Sequence, residues 1–295
     1  MNPELSSTER LIDRVARNPA LDPIADAIQP ELRRLLDGTG SSAWLKNALH
    51  GTWLGHSLHA IITDIPIGAW TVAAILDTLE VSGRRDLAPG ADAAVVIGIA
   101  GGIGAIVTGL AEWSDTKDEP KRLGLAHALL NDAGFSAYVL AFILRRTGKR
   151  GAGIATAFFG YGMISLAAYL GGELSFGMQI GVKHTAEPVE PPEAFTAVLP
   201  EHDLEIDRPT RVDLAGAPVL LVRDEHGIHA ISAVCTHRGA PLDQGALADG
   251  CIVCPWHGSR FAIRDGSVRE GPATFPQARF ETRVLAGQIE LRPLR

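Results

Sequence analysis

The sequence predicts a multidomain chain in which an all-α four-helix transmembrane bundle precedes an all-β domain. Three observations carry this. Four apolar segments, approximately 59–79, 92–112, 124–145 and 152–172, are each long enough to span a bilayer, which takes about 20 residues at about 1.5 Å rise. From about residue 188 the pattern changes to short alternating apolar runs broken by Pro, Gly and Asp. A length of 295 residues suits two domains.

Taken in order, residues 1–55 read as an amphipathic helical arm. Leu21, Ile24, Ile28, Leu32 and Leu35 recur at helical spacing, Asp22-Pro23 suits a helix start and Gly38 a stop, and Pro30 is expected to kink or split the helix. Residues 1–40 are polar and hold no apolar core segment, so no signal peptide is expected. Residues 56–175 form the transmembrane domain. Its second and fourth segments are free of charge, from Ala93 to Ala111 and from Gly151 to Gly172. The first carries Asp64, Pro66 and Asp77, and the third His127, Asn131 and Asp132, so both are expected to turn a polar face toward protein. Gly98 and Gly102 form a GxxxG pair that lets helices approach closely.

Residues 176–192, ending in Glu187-Pro188-Val189-Glu190-Pro191-Pro192, read as a semi-rigid tether. The last domain, 193–295, offers strands at Phe195–Leu199, Val219–Val222, Ile228–Ala233, Cys251–Val253, Arg279–Leu285 and Gln288–Leu291, separated by turn dipeptides such as Asp249-Gly250 and Ala286-Gly287.

Short loops make the four segments run up-down-up-down. That order gathers His56, His59 and His127 at one face of the membrane, the face from which the C-terminal domain departs. His59 and His127 at similar depth suit a b-type haem. A quinone pocket using His56, His59 or His127 and a plain hydrogen-bonded polar cluster are the other readings. Lys and Arg are nearly balanced between the two sides, so the protein is expected in the cell membrane as a multi-pass protein with the side of its C-terminal domain undecided.

The chemistry concentrates in Cys235-Thr236-His237, sixteen residues, then Cys254-Pro255-Trp256-His257. Two thiolates and two imidazoles, paired as CxH and CxxH, suit a [2Fe–2S] cluster in which His replaces Cys on one iron. They also suit tetrahedral zinc, and Cys251-Ile252-Val253-Cys254 is itself a CxxC. The spacing, Pro255, and the Gly239 and Gly258 that close each pair resemble the Rieske ferredoxin family over roughly 193–295. The resemblance implies Cys235 and Cys254 on the inner iron, His237 and His257 on the outer one, and Gly271-Pro272 in a third loop that covers the cluster. Zinc would leave these glycines and the Gly-Pro pair without a purpose, and Cys251 falls in an expected strand.

The same resemblance places this chain among the disulfide-free members, because Ala240 and Trp256 stand where respiratory Rieske proteins have a disulfide. Ser259 matches a serine that bonds a cluster sulfur, but the companion tyrosine position is Phe261, which implies an intermediate-to-low potential.

A net charge of −7 without a basic stripe gives nucleic acid nothing to bind. No histidine follows His257, so the mononuclear iron site of ring-hydroxylating oxygenases is not expected. The expected function is a membrane-anchored carrier of single electrons between a redox partner and a membrane cofactor, haem or the quinone pool, or a second protein. A four-helix transporter or sensor with a redox-reporting domain is the alternative.

Overall fold

The computed structural model describes residues 7–36, 42–184 and 192–294. The Pro-rich stretch expected as a tether lies largely outside them. The chain forms two compact units, one of Met1–Gly38 with Leu58–Ile180 and the other of Thr39–Ser57 with Gly181–Arg295. The expected arm is therefore shared. Its first part belongs to the helical unit and its last part to the β unit.

The arm begins with α1 (Ser7–Ala16) and α2 (Asp22–Leu36), joined by a short 3-10 turn whose Asn18 side chain accepts from the Ala20 N–H. α3 (Ser42–His50) belongs to the β unit. α2 runs through Pro30 without a break. Pro30 and Asp26, whose carbonyl it leaves without a helical donor, are both exposed, so water satisfies what the ring removes. The apolar stripe is only partly the buried face, since Leu21 and Leu32 pack with Ala25 on Trp113 and Leu125. Ile24, Ile28 and Leu35 are exposed, whereas Ala25, Gln29 and Leu36 are buried. Small Ala25 allows close approach, and the Gln29 amide donates to the Trp113 and Thr116 carbonyls at 2.8 and 3.2 Å. Asp22 completes the docking by pairing with Arg122 through both oxygens, at 2.9 and 2.7 Å.

The membrane-spanning part follows as α4 (Leu58–Ile62), α5 (Asp64–Val81), α6 (Ala88–Ser114), α7 (Asp118–Arg146) and α8 (Arg150–Gly172), the last extended by a π turn at Glu173–Gly177. Among the described residues four helical stretches are long and apolar enough to cross a membrane, Leu58–Val81, Arg85–Ser114, Asp118–Arg146 and Arg150–Gly177. The first is interrupted at Thr63 because Pro66 has no N–H to offer the Ile62 carbonyl.

Inside the bundle Trp70 stacks on Tyr138, with ring centroids 4.1 Å apart. Gly98 seats the Trp70 ring, and Gly102 seats Phe135 and the far edge of Trp70. A Cβ at Gly98 would fall 2.1 Å from Trp70 Nε1, and one at Gly102 would fall 2.9 Å from Phe135. At the end of the bundle away from His59 and His127, Arg145 is buried against Asp77 and bonds Asp92, while Arg150 bonds Glu80 and Asp92. Asp77 thus faces protein as expected. Asp64 and Asp132 do not, since both are exposed.

Among the described residues the β unit has ten strands: β1 (Thr196–Pro200), β2 (Thr210–Leu214), β3 (Ala217–Asp224), β4 (Gly227–Ser232), β5 (Ala246–Ala248), β6 (Cys251–Val253), β7 (Arg260–Ala262), β8 (Val268–Glu270), β9 (Arg279–Leu285) and β10 (Gln288–Pro293). They form a six-stranded antiparallel sheet, β1-β10-β9-β4-β3-β2, and a four-stranded one, β5-β6-β7-β8. β3 is covered on both faces. Val219 and Leu221 enter one core with Ile289 and Leu291, while Leu220 and Val222 enter the other with Ile231, Ile252 and Phe261. That second core carries Cys235 and Cys254 and is the floor of the site.

Candidate metal centre

Two loops of the β unit repeat one hairpin geometry. In the first, the Cys235 N–H donates to the Ala240 carbonyl and the Gly239 N–H to the Cys235 carbonyl, both at 2.8 Å. In the second, the Cys254 N–H donates to the Ser259 carbonyl at 2.8 Å and the Gly258 N–H to the Cys254 carbonyl at 3.1 Å. Each glycine stands four residues after its cysteine with φ of +74°. A side chain in that left-handed region costs roughly 1–2 kcal/mol, so the spacing of Gly239 and Gly258 reflects backbone geometry.

The loops face each other. Cys235 and Cys254 are buried at 0% and 3% exposure, and their sulfurs lie within hydrogen-bonding reach. The bond to Cys254 pushes the Cys235 thiol up, and the same bond lowers Cys254 to about 6, with further donation from the Trp256 and His257 backbone N–H groups. The rings of His237 and His257 stand 4.9 Å apart between centroids and nearly perpendicular. Each ring is part-exposed while its Nδ1 is buried, so the opposite edge is the one presented outward. Trp256 is half exposed and meets His257 edge-on at 6.4 Å.

A third loop closes over the pair. The buried Ala273 N–H donates to Ser259 Oγ at 3.0 Å and Thr236 Oγ1 donates to the Phe275 carbonyl at 2.6 Å, so each facing loop holds one point of the segment that follows Gly271-Pro272. The other side of this segment is held by residues of the N-terminal arm that no motif or spacing links to this loop. Asn47 of α3 accepts from the Gly271 N–H at 2.8 Å and donates to the Arg269 carbonyl at 3.1 Å. Thr52 Oγ1 donates to the Ala273 carbonyl at 3.4 Å, and the His56 ring packs edge-on against Phe275 at 5.3 Å. His56 therefore belongs to the β unit, whereas His59 and His127 belong to the helical one. Phe261, fully buried beneath the cysteines, brings no hydroxyl, and Cys251 is buried within β6.

Among the described residues no set of three or more His, Cys, Asp or Glu side chains converges as one mononuclear metal site requires. The donors come instead as a pair of thiols and a pair of imidazoles. That fits a binuclear [2Fe–2S] cluster with unlike ligands on its two irons.

His59 and His127 form a second pair, in the helical unit, with ring centroids 6.5 Å apart and planes at 87°. His59 Nδ1 lies 3.0 Å from the Ala105 carbonyl and His127 Nδ1 lies 2.8 Å from the Ala167 carbonyl. Asn131 Nδ2 lies 3.0 Å from His127 Nε2.

Two facing thiols beside two imidazoles are the donor set that an iron–sulfur protein of the two-Cys, two-His class requires. Comparison with known proteins agrees. Residues 194–281 match the Rieske [2Fe-2S] domain and residues 55–184 match a predicted membrane protein family (DUF2231). The anthranilate 1,2-dioxygenase ferredoxin subunit of Burkholderia cepacia is 31% identical over 85 residues, 29% of this chain and 79% of the relative. Apoptosis-inducing factor 3 of Homo sapiens is 32% identical over 117 residues, 37% of this chain but only 19% of that protein. Its mouse (Mus musculus) counterpart is likewise matched over 15% of its length, so the chain spans less than a fifth of both. Among solved structures, the ferredoxin of carbazole 1,9a-dioxygenase from Nocardioides aromaticivorans IC177 is 31% identical, with a TM-score of 0.33 over 34% of this chain and 99% of that one.

The chain belongs to the Rieske [2Fe-2S] family through its C-terminal domain. It is a multi-pass membrane protein whose Rieske domain binds a [2Fe–2S] cluster and transfers electrons.

Proposed function

We propose that this protein is a membrane-tethered carrier of single electrons in which Cys235 and Cys254 hold one iron of the cluster and His237 and His257 the other. When bound, the cluster takes up and releases one electron at a time. The two cysteines sit on the apolar floor, and backbone N–H groups of His237, Arg238, Trp256 and His257 point at their sulfurs, which favours thiolate. The two imidazoles turn their outer edges away from that floor, beside the exposed Trp256, and offer a partner the shortest path to the site. The carrying observation is this convergence of a buried thiol pair with two imidazoles 4.9 Å apart.

The ferredoxin relative is by its name one subunit of a dioxygenase system, and this chain would likewise serve as one component beside a redox protein or the quinone pool. Ala240 and Trp256 leave no loop disulfide, and Phe261 gives no hydroxyl to a cluster sulfur, so the potential falls below that of respiratory-complex Rieske proteins. The test is metal and acid-labile sulfide analysis of the purified full-length protein with EPR of the reduced form. Iron and sulfide in equal amounts, with a Rieske signal lost in His237→Ala and His257→Ala, is the expected result. Zinc without iron in anaerobically prepared protein would falsify the assignment.

A further inference from the structure

We propose that α1 and α2 lie in the headgroup region of the bilayer, with Ile24, Ile28 and Leu35 of α2 inserted among the lipid chains. The proposal stands apart from the electron-carrier reading and rests on the helical unit alone.

The level of the arm follows from where charge stops. α6 carries no charge from Ala93 to Ala111, and the charged start of α7 ends at Arg122. Charge is costly in the hydrocarbon core, so its boundary falls near Ala111 on α6 and near Leu123 on α7. α2 straddles that boundary. Its Leu21, Ala25 and Leu32 pack with Leu110, Trp113 and Leu125, while Asp22 and Asp26 pair with Lys121 at 2.9 and 2.7 Å on the water side. α1 reaches the same level, since Ile12 and Ala16 pack with Leu123, Leu170 and Leu174.

The surface that α2 covers continues inward as lipid-facing surface. Val107 and Leu129 lie one turn deeper than Leu110 and Leu125 on the same helix faces, and both are exposed. α2 therefore caps the end of a face whose deeper part meets lipid. On α2 itself, Ile24, Ile28 and Leu35 fall within an arc of about 40°, and Asp26 falls on the opposite side. Asp26 turns to Lys121 and water, so the stripe turns back toward the hydrocarbon. Glu31 interrupts the stripe, and its pairing with Arg34 draws the carboxylate toward the water side.

The stripe is open, with Leu35 69% exposed, and it has company. Leu11 of α1 and Phe176 of the π turn are exposed at the same end, Phe176 at 87%. An exposed apolar patch of this kind marks a contact surface. Lipid is the occupant that fits, because the patch is continuous with a face that lipid already covers. Residues 7–36 hold five acidic and five basic side chains, so the contact draws on apolar burial and not on anionic headgroups.

The test is nitroxide labelling of full-length protein in phosphatidylcholine vesicles. Ile24→Cys, Ile28→Cys and Leu35→Cys report the stripe, and Asp26→Cys and Pro30→Cys report the opposite side. The three native cysteines are buried, so wild-type protein taken through the labelling is the blank. Collision with oxygen, which concentrates in lipid, is compared with collision with a nickel chelate confined to water. The stripe labels should lie about 5–10 Å below the headgroups, and those at Asp26 and Pro30 should lie in water. Nickel contact at the stripe equal to that at Pro30 overturns the proposal, because water then covers the stripe. Shielding of the stripe from both reagents overturns it in favour of a protein cover, a second copy of the chain or another subunit. Cluster content plays no part in the readout, so failure of the electron-carrier reading leaves this result unchanged.

Discussion

Replacing Asn47 by Ala removes both hydrogen bonds that tie α3 to the loop over the metal centre. The Gly271 N–H is buried and loses its acceptor, whereas the Arg269 carbonyl lies at an exposed contact and regains water. An unsatisfied buried donor costs about 1–3 kcal/mol and an exposed exchange close to nothing. The expected destabilisation of the β unit is therefore about 1–3 kcal/mol, a fall in midpoint of a few degrees per kcal/mol for a domain of this size. The assay is thermal loss of the cluster EPR signal in full-length protein, together with hydrogen exchange at Gly271. Asn47→Asp keeps an acceptor for Gly271 but sets a carboxylate against the Arg269 carbonyl, so it should fall between wild type and Ala. Wild-type exchange at Gly271 in Asn47→Ala, with an unshifted midpoint, would refute the view that residues 42–57 brace this loop.

Three further outcomes follow from other parts of the molecule. Ser259→Ala strips the buried Ala273 N–H of its acceptor, so the β unit should lose about 1–3 kcal/mol and the cluster potential should drop, both readable in a redox and thermal titration. Asp77→Ala leaves Arg145 buried with only part-exposed Asp92 for a partner, which should cost about 3–5 kcal/mol in thermal melts of the detergent-solubilised protein. Hydrogen bonds from Arg122 and Lys121 lower Asp22 to about 2. Because its folded value lies below its unfolded value of about 3.9, its contribution is full above that unfolded value and is lost as pH falls toward 2. Protease sensitivity of α1 and α2 should therefore stay flat from neutral pH to about 5 and rise below, whereas Asp22→Asn should be sensitive at neutral pH.

What the sequence made legible was whatever a local rule enforces. The membrane segments had to be long and predominantly apolar, and the ligand loops had to place a glycine four residues after each cysteine because only a left-handed residue closes that hairpin. β3 read clearly because both of its faces are covered, which leaves an uninterrupted apolar run. β5, β7 and β8 have three residues each, too few for any period to show, and the equally short β6 was legible only as an apolar Cys-Ile-Val run after the Asp249-Gly250 turn. The arm misled for a different reason. Periodicity marks where apolar side chains are, whereas α2 docks through a small Ala25, the hydrogen bonds of Gln29 and only part of its apolar stripe, so Ile24, Ile28 and Leu35 stay outside.

Asn47 carried no signal at all. It acts on Gly271 from 224 positions away, and nothing near either residue announces the contact. That distance has a consequence for the organisation of the protein. The loop over the metal centre is built on one side from the ligand loops themselves and on the other from the stretch that leads directly into the first membrane helix at Leu58. A fragment beginning at residue 193, the natural place to cut by composition, would keep all four candidate ligands and lose Asn47, Thr52 and His56. Such a fragment should hold its cluster less stably than the full chain, with fast exchange at Gly271 and a lower thermal midpoint. Adding residues 42–57 back as a separate peptide should slow that exchange in wild-type form and fail to do so with Asn47→Ala.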